Sequence, residues 1–248
     1  MKKSKLILED ILSSIKSDHE VTDIRTCVFW TAVCSLRCGL ASTMAFSIQP
    51  SEGPQVESAG HLLPTGAKAL AQLSLSSRIL ESAIGMAAIN SVAPIDESLC
   101  VDMNAEEEIR NLGKGKIIAI IGHFPFVKRL REEAQELWVF ELPGRGRPGD
   151  IIGKEIDTLL PQADVVAISS TTLINHSLGK ILSLTAPAAI KILLGPSTPL
   201  TPVLFDHGFD ILSGSIVVDR NQALESISQG ANFRQVRGVR KVTMRRKK

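Results

Sequence analysis

Apolar positions recur at helical spacing at Leu6, Ile7, Ile11, Leu12 and Ile15, which predicts an amphipathic opening helix. Residues 21–36 are rich in β-branched and aromatic side chains and read as a strand, with 40–48 returning as its hairpin partner around Gly39. Residues 49–66 hold three prolines and three glycines and read as a loop. A helical stretch begins near Ala67, and 78–92 is the best-defined helix of this half. Its apolar positions Ile79, Leu80, Ala83, Ile84, Ala87 and Ala88 form a broad stripe. Ser82, Gly85 and Ala88 at three-residue spacing suit a close approach by another element, and Pro94 prevents continuation. Residues 93–104 read as a linker, and 105–112 as a charged helix ending in Gly113.

From Lys116 the pattern changes to short, continuous apolar runs alternating with helical stretches. Strands are expected at 117–121, 137–141, 165–168, 190–194 and 211–217. Helices are expected around 125–133, 151–160, 173–184, 199–206 and 221–229. Strands without polar alternation, each followed by a helix, imply parallel βαβ units with both sheet faces covered. The fold class is therefore α/β: an N-terminal α+β domain with its linker over 1–104, then a Rossmann-like parallel-sheet domain over 105–248.

Composition narrows the setting. The chain has 248 residues, 44% hydrophobic and 22% charged, an ordinary globular balance. No apolar run approaches the roughly 18 residues of a membrane span, and the first ten residues lack the apolar core of a secretory signal. A soluble, cytoplasmic protein with no membrane partner is expected. The net charge of +2 hides an asymmetry: Arg234, Arg237, Arg240, Lys241, Arg245, Arg246, Lys247 and Lys248 fall in the last fifteen residues, which contain no acid. Subtracting those eight charges leaves −6 for the body. No aromatic is interleaved with the final basic run, and Val239, Val242 and Met244 read as a short terminal strand. A solubilising tail or edge strand is expected in preference to a nucleic-acid arm.

Cys27, Cys34, Cys38 and Cys100 are too few for a disulfide framework, and no second close pair completes a zinc site. Packing as small buried hydrophobes is expected. Among acids, Glu81 reads as a solvated helix charge, while Asp219 follows the last parallel strand and is a candidate ligand-binding residue. His207 reads as a helix-end residue, His19 and His176 as surface residues, and His61 is undecided.

In an open parallel sheet, ligands bind beyond the carboxyl ends of the strands. Three loops there carry polar or turn-forming residues: Gly122, His123, Phe124 and Pro125; then Ser169, Ser170, Thr171 and Thr172, with Asn175 a turn later; then Gly195, Pro196, Ser197, Thr198 and Pro199. Hydroxyls at a helix N-cap either satisfy their own helix or join a site for an oxyanion. His123 is the one histidine on such a loop, as acid/base group or metal ligand. The three-glycine dinucleotide fingerprint is absent, so NAD or FAD is not expected in the usual manner. No G-x-S-x-G elbow, P-loop lysine motif or H-E-x-x-H is present.

Four segments carry a resemblance. Gly122-His123-Phe124-Pro125, Leu194-Gly195-Pro196-Ser197-Thr198-Pro199-Leu200, Leu212-Ser213-Gly214 and the helix from Ser82 to Asn90 together resemble the putative heavy-metal-chelation domain family, long catalogued as a domain of unknown function. The resemblance covers nearly the whole chain. It implies an enolase-N-terminal-like part, a Rossmann-like part and a site in the cleft between them. Residues 26–39 depart from it, being largely apolar and cysteine-bearing where a more polar hairpin is expected.

Two functions are in view. The first is binding of a metal chelate, or of an anionic metal-binding small molecule. Its pocket would be lined by Gly122, His123, Phe124, Pro125, Ser170, Thr171, Asn175, Gly195, Pro196, Ser197, Thr198 and Asp219, with Asn90 offered from the other domain. The metal would be a chelated ion with His123 completing its coordination. The second is an enzyme acting on a small anionic metabolite, with His123 as acid or base. A homo-oligomer is compatible with either.

Overall fold

The computed structural model describes residues 2–48 and 53–247, so residues 49–52 of the expected loop and the last lysine of the basic tail lie outside the described residues. The opening helix α1 (Lys2–Ser14) buries Ile7, Leu8, Ile11 and Leu12. The expected long strand is instead broken. β1 (Asp23–Thr26) and β2 (Trp30–Cys34) form a hairpin turning at residues 27–29, and β3 (Cys38–Ser42) follows a second turn at 35–37. Gly39 thus lies within β3 and not at the turn.

Alternation explains how this three-stranded antiparallel sheet is buried on both faces. Val33 and Ala41 point into the main core with α3 (Ile79–Val92), while Ala32, Cys34, Cys38 and Leu40 pack with Leu224, Ile227 and Val236. Cys34 and Cys38 are buried as expected but are also joined by a disulfide, whereas Cys27 and Cys100 are free and only half-buried. α2 (Ala67–Ala71) and the 3-10 turn Gln72–Leu75 lie against α3. Gly85 is the contact point: a Cβ there would sit 1.9 Å from the Ser74 amide nitrogen.

Glu81 departs from the solvated role expected of it. It is buried, and its carboxylate accepts hydrogen bonds from the Ser76 hydroxyl (2.5 Å), the Glu57 amide (3.0 Å) and the Arg78 guanidinium (3.1 Å). Burial pushes the Glu81 carboxyl up, but these three bonds outweigh it and hold the carboxyl below its usual range.

The second sheet has eight strands. Part of the expected linker supplies the edge strand β4 (Cys100–Val101), followed by α4 (Ala105–Gly113), whose N-cap Asn104 accepts from the Glu106 amide. The rest are β5 (Ile117–Ile121), β6 (Glu136–Glu141), β7 (Ile151–Ile152), β8 (Val165–Ser169), β9 (Ile190–Leu194), β10 (Ile211–Val217) and β11 (Val239–Arg245). Their order is β4-β11-β10-β9-β8-β5-β6-β7; β5 to β10 run parallel, β11 pairs antiparallel with β10, and β4 antiparallel with β11. The parallel strands therefore follow the 3-2-1-4-5-6 order of doubly wound folds, with its switch point between β5 and β8.

Both faces of this sheet are covered, as the unbroken apolar runs require. Ile118 and Ile120 face a cluster containing Ile109, Val127 and Leu130, while Ala119 and Ile121 face the main core shared with α1 and α3. Burying one such isoleucine contributes about 1.5–3 kcal/mol. Most helices between the strands are shorter than expected: α5 (Val127–Leu130), α6 (Ile156–Leu159), α7 (Thr171–Ile174), α8 (Leu178–Leu184) and α9 (Val203–Asp206), whereas α10 (Arg220–Ser228) has its expected length. Ile151 and Ile152, expected in a helix, are β7. The 173–184 helix is split at His176, whose φ of 57° is left-handed and half-buries the ring with Nε2 2.8 Å from the Ser74 carbonyl oxygen.

The basic tail is a strand of the sheet, with β4 outside it. Arg237 pairs with Glu225 at 2.9 Å, Arg240 with Asp102 at 3.5 Å, and Arg245 with the buried Glu108. His207 caps α9 and pairs with Asp10 of α1 at 3.0 Å. Among the described residues, no helix is long and apolar enough to cross a membrane.

Candidate functional site

The switch point opens into a cavity of about 390 Å³, walled by the carboxyl ends of β5, β6 and β8 and by the segment leaving β3. Gly122 ends β5 with φ 92°, turning the chain so that His123 faces this space. Two carboxylates position that residue. Glu141, at the end of β6, accepts the His123 amide at 3.1 Å through Oε2 and the Leu142 amide at 2.8 Å through Oε1. Asp150, whose side chain is fully buried, lies 2.9 Å from His123 Nδ1 through Oδ2 and also accepts the Arg147 amide at 2.9 Å.

A carboxylate only accepts, so Nδ1 carries the hydrogen; in the neutral imidazole the lone pair is then on Nε2, the arrangement that orients a histidine as metal ligand or base. Nε2 makes no hydrogen bond among the described residues.

From β8, Ser169 and Thr171 share a hydroxyl hydrogen bond of 2.8 Å, and the Thr171 amide donates to Ser169 Oγ at 3.4 Å. Asn175 follows α7, its Oδ1 accepting the Ser177 amide at 3.1 Å and hydroxyl at 2.6 Å in the turn before α8. Lys180 lines the wall and pairs with Asp157 at 3.1 Å. From the N-terminal sheet come Ser42, Met44 and Phe46, and the Arg145 guanidinium lies 3.4 Å above the Phe46 ring centroid.

The sequence-derived candidates divide. Gly122, His123, Phe124, Thr171 and Asn175 line the cavity; Pro125 is exposed on the same loop. Ser170 is buried, with its amide donating to the Leu194 carbonyl at 2.8 Å. The loop after β9 does not open into the cavity. Gly195 carries φ 119°, Pro196 is half-buried, and Ser197 and Thr198 are buried beneath β3. Ser197 Oγ accepts the Ser42 amide at 2.8 Å, and the Asn90 side-chain amide donates to Leu40 O at 2.8 Å and Ser197 O at 3.2 Å. Ser197 and Asn90 thus fasten the two sheets together beside the cavity. Asp219 caps α10, away from the cavity wall; the Gln222 amide at 3.0 Å holds its carboxyl below the usual range.

Glu141, Arg145, Asp150 and Lys180 were not identified from the sequence. A signal existed: residues 143–150 read Pro-Gly-Arg-Gly-Arg-Pro-Gly-Asp, a turn-forming segment directly after a strand at the carboxyl edge.

As a resident metal site the cavity does not fit. Among the described residues, no group of three His, Cys, Asp or Glu side chains is placed to hold an ion. The oxygens of Asp150 and Glu141 are already engaged, so His123 Nε2 is a single donor.

Two family models match separate stretches of the chain. Residues 104–246 match the DUF364 family model, described as "Putative heavy-metal chelation", and residues 8–93 match DUF4213, described in the same words. An uncharacterised protein of Methanocaldococcus jannaschii is 33% identical over 152 residues, covering 59% of this chain; the match spans 58% of that protein's length. The crystal structure of a DUF364-family protein of unknown function from Desulfitobacterium hafniense superposes with a TM-score of 0.85 at 25% identity, over 99% of this chain and 100% of that one. A second, from Pyrococcus horikoshii, gives 0.83 at 23% identity, again over 99% and 100%. With a family model matched over more than half its length, this chain belongs to the DUF364 family, "Putative heavy-metal chelation".

Proposed function

We propose that the protein binds an anionic, metal-chelating small molecule, or its metal complex, in the cavity between the two sheets. The observation that carries this reading is His123: a buried carboxylate holds Nδ1, and Nε2 has no partner among the described residues in a cavity that also presents Arg145 and Lys180. One imidazole cannot hold a metal ion alone. It can complete the coordination of an ion whose other positions the small molecule fills, so the metal is cargo. The cations of the wall favour the carboxylates of such a chelator. The family description supports the same direction.

Titration calorimetry with nickel(II)–citrate, citrate alone and free nickel(II) tests this. The complex is expected to bind most tightly, and His123→Ala to bring it to the level of citrate alone. Absence of binding by both citrate forms to folded protein overturns the proposal.

A second reading rests on the same pair: the Asp150–His123 arrangement is also that of an oriented general base, acting on a small anionic metabolite. Turnover found in an activity screen and abolished by His123→Ala, with unchanged melting temperature, favours it; turnover retained in that variant removes His123 from the chemistry.

A further inference from the structure

We infer that Arg145 is the specificity-determining residue of this cavity, recognising a carboxylate of the ligand through a two-pronged guanidinium contact backed by Phe46. The inference rests on the reading of the cavity as an anion-binding site and narrows its ligand to carboxylate-bearing chelators.

Arg145 is the one cationic side chain on the cavity wall that has no anionic partner among the described residues. Lys180 is paired with Asp157, whereas the Arg145 guanidinium makes no hydrogen bond or ion pair there and has only the Phe46 ring, 3.4 Å away. An aromatic face attracts a guanidinium without consuming its N–H donors, which lie in the guanidinium plane. Arg145 is therefore restrained in position while its hydrogen-bonding edge stays available. That is the preorganised state a planar carboxylate needs for two parallel N–H···O bonds.

Phosphate is the competing oxyanion, and two of the amides that would hold it are already engaged. At the switch point of a doubly wound sheet, phosphates are held by backbone amides at the ends of the strands. Here the His123 amide is taken by Glu141 Oε2 at 3.1 Å and the Thr171 amide by Ser169 Oγ at 3.4 Å. Arg145, which enters from the 143–150 loop, is then the charged donor that the cavity offers to an anion. His123, on the β5 side of the same cavity, is left for the chelated metal.

The test is calorimetry of the full chain with citrate, nitrilotriacetate and histidine, each free and as its nickel(II) complex, against wild type, Arg145→Lys, Arg145→Gln and Phe46→Leu. Losing a charged hydrogen bond predicts a tenfold or greater loss of affinity in Arg145→Gln, and about tenfold in Arg145→Lys, which keeps the charge but not the fork. Phe46→Leu should lose several-fold, and melting temperatures should stay at the wild-type value. Inorganic phosphate should displace the chelators poorly. Wild-type affinity in Arg145→Lys, or efficient displacement by phosphate, overturns the inference while leaving the proposed binding function standing. No binding of any chelator by the wild type overturns both.

Discussion

Gly39 and Gly85 mark where backbone meets backbone. A Cβ on Gly39 would lie 2.1 Å from the Ala87 carbonyl oxygen, and one on Gly85 1.9 Å from the Ser74 nitrogen. Neither neighbour is the flexible end of a side chain, so an element must move. Gly39→Ala or Gly85→Ala should destabilise the protein by about 3 kcal/mol or more, measured by denaturant unfolding. Of the two, Gly85 was legible, because it lies in a small-residue stripe; Gly39 read as a turn residue, because its partner α3 is some fifty residues away. Glu81 was illegible for a related reason: a carboxylate on a helix declares its burial only through Ser76, Arg78 and the 57-region amide that fold onto it. A carboxyl held below its unfolded-state value stabilises the fold above that value and loses the contribution as pH falls through the folded one. Glu81→Gln should therefore cost about 1–3 kcal/mol at pH 7, with the gap closing below the free glutamate range near pH 4.3; thermal melts from pH 7 to 3 check it. At the candidate site, Asp150→Asn should donate to His123 Nδ1, move the imidazole proton to Nε2 and weaken chelate binding about 10–100-fold, leaving metal-free citrate unaffected in the same titration.

The first hairpin and the split helix show how elements differ from their patterns. Residues 21–36 have strand composition throughout, yet the chain turns at 27–29 because β1, β2 and β3 must fit between α3 and the α10 cluster. Cys34 and Cys38 then fall opposite each other at the next turn and bond. Their spacing of four gave no disulfide signal, since it depends on where the hairpin reverses. Closing so short a loop restrains the unfolded chain little, so Cys34→Ser with Cys38→Ser should lower stability by about 2 kcal/mol without unfolding the protein. Thiol counting on denatured, non-reduced protein should give two free cysteines of four. The 173–184 helix breaks because Ser4 of α1 accepts the Gly179 amide at 2.7 Å and donates to the His176 carbonyl at 2.7 Å, docking α8 as a separate segment.

For the molecule as a whole, the basic terminal segment belongs to the interior of the assembly of strands. β11 satisfies the free edge of β10, and its arginines answer the acids of the body. Removing residues 239–248 should expose β10 and leave Glu108 buried without its partner, giving insoluble protein on size-exclusion analysis. The opposite outcome, a monodisperse folded product, would show the segment to be an appendage. Local periodicity was enough to establish an α/β chain, the five main parallel strands and the two loops that carry His123 and Thr171, because each of these is written within a few consecutive residues. Strand order, the switch point, the burial of Ser197 and Thr198, the Asp150 contact and the Arg145–Phe46 pair emerged only on folding. Each joins residues far apart in the chain, and side-chain alternation records which way a residue faces without recording what it will meet.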